Sequence, residues 1–143
     1  SDVGLLTCLL YGTNINAVLR DENSVNLGSV YESVVAQELH AHGFSLRYYD
    51  NKQKGEVDFL IDDFHNLTVL PIEVKSGKDY TVHSAIDKFL TTPDYHIKRG
   101  LVLSNEARVF ESDGIMYMPI YYVMFLTCHS ASATDCIIPE VIL

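Results

Sequence analysis

Positive charge is scarce in this sequence. Ten lysines and arginines stand against nineteen aspartates and glutamates, a net charge of −9 with histidine neutral. Affinity for nucleic acid is dominated by cations that neutralise phosphates, so this balance works against autonomous binding to a polyanion. Cysteine is scarce too. Cys8, Cys128 and Cys136 are odd in number and form no CxxC pair. They are expected to be free buried thiols in a reducing, cytoplasmic compartment rather than a disulfide framework. Cys128, His129 and Cys136 would leave a zinc ion one ligand short. No apolar run approaches the roughly 20 residues that a membrane span needs, and no signal peptide opens the chain, so no membrane partner is expected. The longest apolar stretch, "IMYMPIYYVMFL", is interrupted by Pro119 and reads as a buried strand pair. Repeats, low-complexity tracts and long linkers are also missing. The 143 residues therefore point to one domain, long enough to bury roughly two thirds of its unfolded surface. The chain opens Ser-Asp, and "VGLLTCLLYG" already reads as domain interior, so a fragment of a longer protein is the expectation.

The charge that is present is unevenly placed. Residues 47–78 carry five basic groups (Arg47, Lys52, Lys54, Lys75, Lys78) against six acidic ones, and the remainder five against thirteen. Along the chain, "GLLTCLLYG" reads as a short apolar helix and "TNINAVLRDENSVNLG" as a polar connection with one more helical turn. "GSVYESVVAQELHAHG" is the clearest helix, with Ser29 and Glu32 at capping-box spacing and Gly43 as its stop. Val30, Tyr31, Val34, Val35 and Leu39 fall on one arc of it, with Glu32 at the rim and Glu38 inside. "FSLRYYD" reads as a strand, and "EVDFLID" and "LTVLPIEVKS" as a hairpin around "DFHN". "SAIDKFLTT" is a helix stopped near Pro93, and "RGLVLS" a buried strand. The order predicts an α/β domain with a mixed sheet flanked by helices; the tail from Cys128 onward gives no clear pattern.

Chemistry concentrates in the hairpin. Residues two apart in a strand share a face, which groups Val57, Phe59 and Ile61 with Ile72 and Val74 on one side. Glu56 and Asp58 share the other side of their strand, as Glu73 and Lys75 do of theirs. A turn centred on His65-Asn66 sets Asp58 directly across from Glu73, about 5 Å apart at Cβ. Two carboxylates that close repel each other unless one is protonated or a cation lies between them. Lys75 supplies one positive charge, and a hard divalent ion, Mg²⁺ or Mn²⁺, would supply the rest. Held by Asp58, Glu73 and a backbone carbonyl, such an ion suits phosphodiester hydrolysis, with Lys75 placing a water or stabilising developing negative charge. Glu32 would reach the ion's water shell from across the sheet. Glu56 is left outside this group, as a partner for Lys54 or Lys75. The bland alternative is a solvated strand face with a cross-strand Glu–Lys pair, worth about 0.2–1 kcal/mol.

Other motifs carry less. "KSGKDYT" lacks the upstream glycine of a phosphate loop, and Asp79 stands where Ser or Thr is needed. Among the six histidines only His40-x-His42 is closely spaced, and on a helix those side chains diverge by about 160°.

Asp58, a gap, then Glu73-x-Lys75, preceded by the helical Glu32, resembles the PD-(D/E)xK nuclease superfamily, with Val57 in place of its proline. "GSVYESVVAQELHAHGFSLRYYD" is similar to the opening helix of archaeal Holliday-junction resolvases. Over nearly the whole chain, "DVGLLTCLL", "YESVVAQEL", "YYDNKQKGEVDFLI", "PIEVKSGK" and "MPIYYVMFL" resemble a C-terminal domain of unknown function of bacterial and archaeal AAA-type ATPases. The resemblance implies a restriction-endonuclease-like fold for residues 1–143, a P-loop ATPase module N-terminal to it, and Glu32, Asp58, Glu73 and Lys75 as active-site positions. It is compatible with DNA as substrate. It is equally compatible with a catalytically silent module that serves the ATPase as an interaction or homo-oligomerisation surface.

Overall fold

The computed structural model describes residues 27–51, 55–64, 66–77, 79–81, 84–128 and 136–137. The expected helix over "GLLTCLLYG", the polar connection up to residue 26 and most of the tail lie outside them. The described chain is an α/β domain built on a six-stranded mixed sheet. Its strands are β1 (Arg47–Asn51), β2 (Gly55–Asp63), β3 (Thr68–Lys75), β4 (Gly100–Ser104), β5 (Phe110–Ser112) and β6 (Ile115–Pro119), in the order β1-β2-β3-β4-β6-β5. β2 runs antiparallel to both β1 and β3; β3, β4 and β6 are parallel, and β5 returns antiparallel at the far edge. All five residues of β4 are buried, as expected of a strand flanked by parallel neighbours and covered on both faces.

Helix α1 (Gly28–Ala41) covers one face. Val35 and Leu39 pack there with Phe44, Ile61, Leu70, Ile72, Val74, Leu101, Leu103 and Met118. The helix begins earlier than the Ser29 capping box predicted. Leu27 is the N-cap and no side chain caps it. Its carbonyl accepts the N–H groups of Val30 and Tyr31 at 3.1 and 3.0 Å, and its buried side chain fixes the entry of the chain. Gly43 does end the helix, at φ +86°, a conformation glycine adopts without a Cβ penalty. Glu38, inside the apolar arc, lies 3.9 Å from His42 Nε2.

Helix α2 (Ser84–Thr91) covers the other face, burying Ala85, Ile86 and Phe89. It stops before Pro93 because Thr92, the residue a proline disfavours in α conformation, is extended at φ −84°, ψ 108°.

Two expectations need correction. Residues 115–126 are not a strand pair. Only Ile115–Pro119 is strand, and after Pro119 the chain winds into a 3-10 helix, Ile120–Phe125. The antiparallel partner of β6 is the short β5, joined to it through Asp113 and Gly114, both at positive φ as a tight hairpin turn demands. Nor do Val57, Phe59 and Ile61 share a face. Between β1 and β2 the register shifts: Arg47 faces Leu60 but Tyr49 faces Val57, so three steps on β2 match two on β1. This bulge turns Val57 and Leu60 together toward Phe89 and Ala85 under α2, while Phe59 and Ile61 stay on the α1 side. A short strand pair near the end, β7 (Thr127–Cys128) with β8 (Cys136–Ile137), sets Cys128 across from Cys136; Cys128 is a free thiol.

Candidate functional site

The β2–β3 ladder pairs Phe59 with Ile72, Leu60 with Pro71 and Ile61 with Leu70. Continued by one step this register would set Asp58 across from Glu73, but the pairing stops at Phe59 and Ile72. The ladder ends at that step because β2 bulges there. Where a backbone partner would otherwise stand, the Asp58 carboxylate takes over: its Oδ2 accepts the Val74 N–H at 2.7 Å. Glu73 alternates with Ile72 and Val74 and so leaves their apolar face. It is a buried carboxylate, 7% exposed, in ion-pair contact through Oε1 with the Lys75 ammonium.

Glu32 stands in the first turns of α1. Asn105, which follows β4, donates from Nδ2 to the Tyr31 hydroxyl and to the Ser76 carbonyl, both at 3.3 Å. These bonds tie the N-terminal part of α1 to the end of β3 just beyond Lys75. Glu32 is there subject to the charges of Asp58, Glu56 and Lys75. The structure thus brings Glu32, Asp58, Glu73 and Lys75 to one end of the sheet.

The electrostatics are those of crowded carboxylates. Burial raises the Glu32 carboxyl above its ordinary value, the negative charges of Asp58 and Glu56 raise it further, and Lys75 opposes them. Burial also raises Asp58; the Val74 N–H bond and Lys75 pull it down, Glu56 pushes it up, and the net displacement is upward. Lys75 is the cation acting on both groups among the described residues.

The sequence reading set Glu56 outside the group and passed over Tyr48. Glu56 accepts a hydrogen bond at Oε1 from the hydroxyl of Tyr48 on β1, rather than pairing with Lys75, and its charge acts on both Glu32 and Asp58. That bond first, then burial, then the charges of Glu56, Asp50 and Asp58 push the Tyr48 hydroxyl up to about 12. The available signal was cross-strand proximity, since Asp50 faces Glu56 and sets Tyr48 diagonal to it. Lys52, Lys54 and Lys78 lie outside the described residues.

At the opposite end of the hairpin sits a second buried carboxylate. Asp63, 1% exposed, accepts bonds from the Asn66 backbone N–H (3.2 Å) and side-chain amide (2.9 Å) and from Arg99 Nε (3.1 Å). Burial works to raise this carboxyl, but the Asn66 bonds and Arg99 together outweigh it and hold it below its ordinary value. Its ligands are all satisfied within the chain, and it closes the turn rather than opening onto a site.

Among the described residues no three His, Cys, Asp or Glu side chains are grouped so as to hold a metal ion, so a cation at the hairpin would rest on two carboxylates with backbone or water ligands. No described helix is long and apolar enough to cross a membrane. No curated protein and no solved structure matches the chain. Residues 27–123, more than half of the sequence and the whole of α1 through β6, match the sequence profile of a family described as a domain of unknown function, and the chain belongs to that family, DUF4143.

Proposed function

We propose that this chain is a nuclease-like domain of the PD-(D/E)xK type whose chemistry is divalent-cation-dependent hydrolysis of DNA phosphodiesters. The observation that carries the reading is the Asp58 carboxylate bound to the Val74 N–H where the β2–β3 ladder ends, with Lys75 acting on it and paired to the buried Glu73 next to Val74. A solvated salt-bridge face has no use for a buried Glu73 and for two neighbouring carboxyls, Glu32 and Asp58, both displaced upward.

The donor set fits a hard cation. Asp58 and Glu73 are oxygen ligands, and the upward displacement of the Asp58 and Glu32 carboxyls is what a cation between them would reverse. Asp58 and Glu73 would hold Mg²⁺ or Mn²⁺, which when bound polarises a phosphoryl oxygen and lowers the pKa of a water. The chain's own part is then positional. The Val74 N–H fixes the Asp58 carboxylate. The Lys75 ammonium, held by Glu73, places positive charge where a phosphorane oxygen would gain negative charge. Glu32, more readily protonated than an ordinary carboxyl, stands ready to orient a water or hold a proton at its carboxylate.

We also place the domain in a longer protein, C-terminal to an AAA-type ATPase module that would contribute the phosphate contacts this acidic chain lacks. The test is incubation of linear, nicked and four-way-junction DNA with the wild type, Asp58→Asn and Lys75→Met, with Mg²⁺, Mn²⁺ or EDTA. Metal-dependent product from the wild type alone is expected; product that survives both substitutions refutes the assignment.

One observation favours a second reading, a silent module that docks the ATPase or another copy of itself. Tyr121, Met124 and Phe125, each about half exposed, crowd one short 3-10 helix as an apolar surface. Under that reading no metal yields product, and the triple Ala variant of Asp58, Glu73 and Lys75 binds its partners unchanged.

A further inference from the structure

Tyr48 lies on β1, an edge strand of the sheet among the described residues, and is 62% exposed. Its neighbour Tyr49 turns inward, its ring edge-on to Phe89 at a centroid distance of 4.6 Å, so alternation along the strand directs Tyr48 outward. Tyr48 falls in the register shift between the Arg47–Leu60 and Tyr49–Val57 pairs, which places it alongside Asp58 and Phe59 of β2. Its hydroxyl is tethered to Glu56, and the Asp58 charge acts on it. The result is an exposed aromatic ring one strand away from Asp58, anchored at its polar tip.

The charge balance gives this ring a task. At −9 the chain cannot assemble the row of phosphate contacts that holds a duplex. The other general source of affinity for nucleic acid is stacking of bases on aromatic rings, which tolerates any sequence but requires unpaired bases. A ring already fixed at its hydroxyl also loses little freedom on binding.

We infer that Tyr48 is a stacking platform for an unpaired nucleobase beside Asp58, so that the substrate class of the site is DNA with single-stranded segments rather than continuous duplex. This inference rests on the hydrolytic reading of the Asp58–Glu73–Lys75 group for its location, and it is tested by binding rather than by cleavage.

The experiment is fluorescence anisotropy of a labelled oligothymidylate, and of a blunt duplex of equal length, with Ca²⁺ in place of Mg²⁺. The chains compared are the wild type, Tyr48→Phe and Tyr48→Ala. Tyr48 is exposed, so both variants should fold, which a thermal melt checks. The wild type is expected to prefer the single strand. Tyr48→Ala weakens that binding about tenfold and leaves duplex binding unchanged, while Tyr48→Phe, which keeps the ring, stays within about twofold of wild type. Equal losses in the two variants would show that the bond to Glu56 matters and the ring does not, and would overturn the proposal. So would the absence of single-strand binding by the wild type. Failure of the underlying reading looks different: Tyr48-dependent single-strand binding with no metal-dependent product refutes hydrolysis and leaves the platform standing.

Discussion

Replacing Asp58 with Asn removes a charge and keeps the shape and the acceptor that meets the Val74 N–H. In the absence of metal this substitution should stabilise the protein at neutral pH. Two contributions are lost: the bond to Val74 changes from charge-assisted to neutral, about 1 kcal/mol, and the attraction to the partly exposed Lys75 disappears, less than about 1 kcal/mol. Against them stand the burial of the charge and its repulsion from Glu56, and the upward displacement of the carboxyl says that these are larger. A difference between terms of this size leaves a gain on the order of 1 kcal/mol, or a rise of roughly 2–6 °C in Tm. The pH dependence has a definite sign. A carboxyl raised in the fold contributes most below its ordinary value of 3.8 and loses that contribution as pH rises through its folded pKa. The advantage of the Asp58→Asn variant is therefore full at pH 7 and vanishes in acid. Added Mg²⁺ should reverse the order, because ligand at ten times its Kd stabilises the wild type by about 1.4 kcal/mol and has no site in the variant. Differential scanning fluorimetry with EDTA and with Mg²⁺, at pH 7 and pH 3.5, measures all of this. An Asn variant less stable than wild type in EDTA at pH 7, or one shifted by Mg²⁺ as much as wild type, refutes the crowded-carboxylate reasoning.

The remaining predictions concern what holds the site in place. Asp63→Ala should cost about 2–3 kcal/mol at pH 7, the low end for a broken buried pair because Arg99 still reaches water. The carboxyl of Asp63 is lowered in the fold, so its contribution is present above pH 3.8 and lost as pH falls; urea melts of wild type and variant should converge in acid. Gly114→Ala should be the costlier of two glycine substitutions: at φ +80° its Cβ would come within 2.8 Å of the Lys98 carbonyl, whereas at Gly43, φ +86°, nothing lies within 4 Å. Gly43→Ala is expected to lose about 1 kcal/mol and Gly114→Ala clearly more, read as the difference in Tm.

What the sequence made legible was periodic. The hairpin register, the two helices, the buried β4 and the α/β class all followed from alternation and 3.6-residue spacing, because burial of one face imposes those periods. The misreadings came where a single backbone event breaks the period. The bulge in β2 rotates Val57 to the α2 side without altering any residue type in "GEVDFLID". Pro119 ends a run that stays apolar on both sides, so hydropathy alone could not divide β6 from the 3-10 helix. Glu32, Asp58, Glu73 and Lys75 stood out because their types and spacing resemble a known pattern. Glu56 and Tyr48 depend on a cross-strand contact through that same bulge, and no spacing along the chain encodes it.

The bulge also decides which substitution of Asp58 is informative. Because β2 leaves the ladder at Phe59, the N–H of Val74, itself a buried residue, has the Asp58 carboxylate as its acceptor. A buried amide without a partner costs about 1–3 kcal/mol. Asp58→Ala should therefore be less stable than Asp58→Asn by that amount, which offsets the gain from relieving the repulsion, so in EDTA the Asn variant is expected to melt above wild type and the Ala variant at or below it. An Ala variant would lose activity through a loosened strand as readily as through a missing ligand, whereas Asn keeps the strand and removes only the charge. Hydrogen exchange at the Val74 amide tests the account directly. Protection there should persist in Asp58→Asn and drop in Asp58→Ala. Equal protection in both would mean that the carboxylate does not hold this strand, and that the end of the ladder at Asp58 is not what positions it.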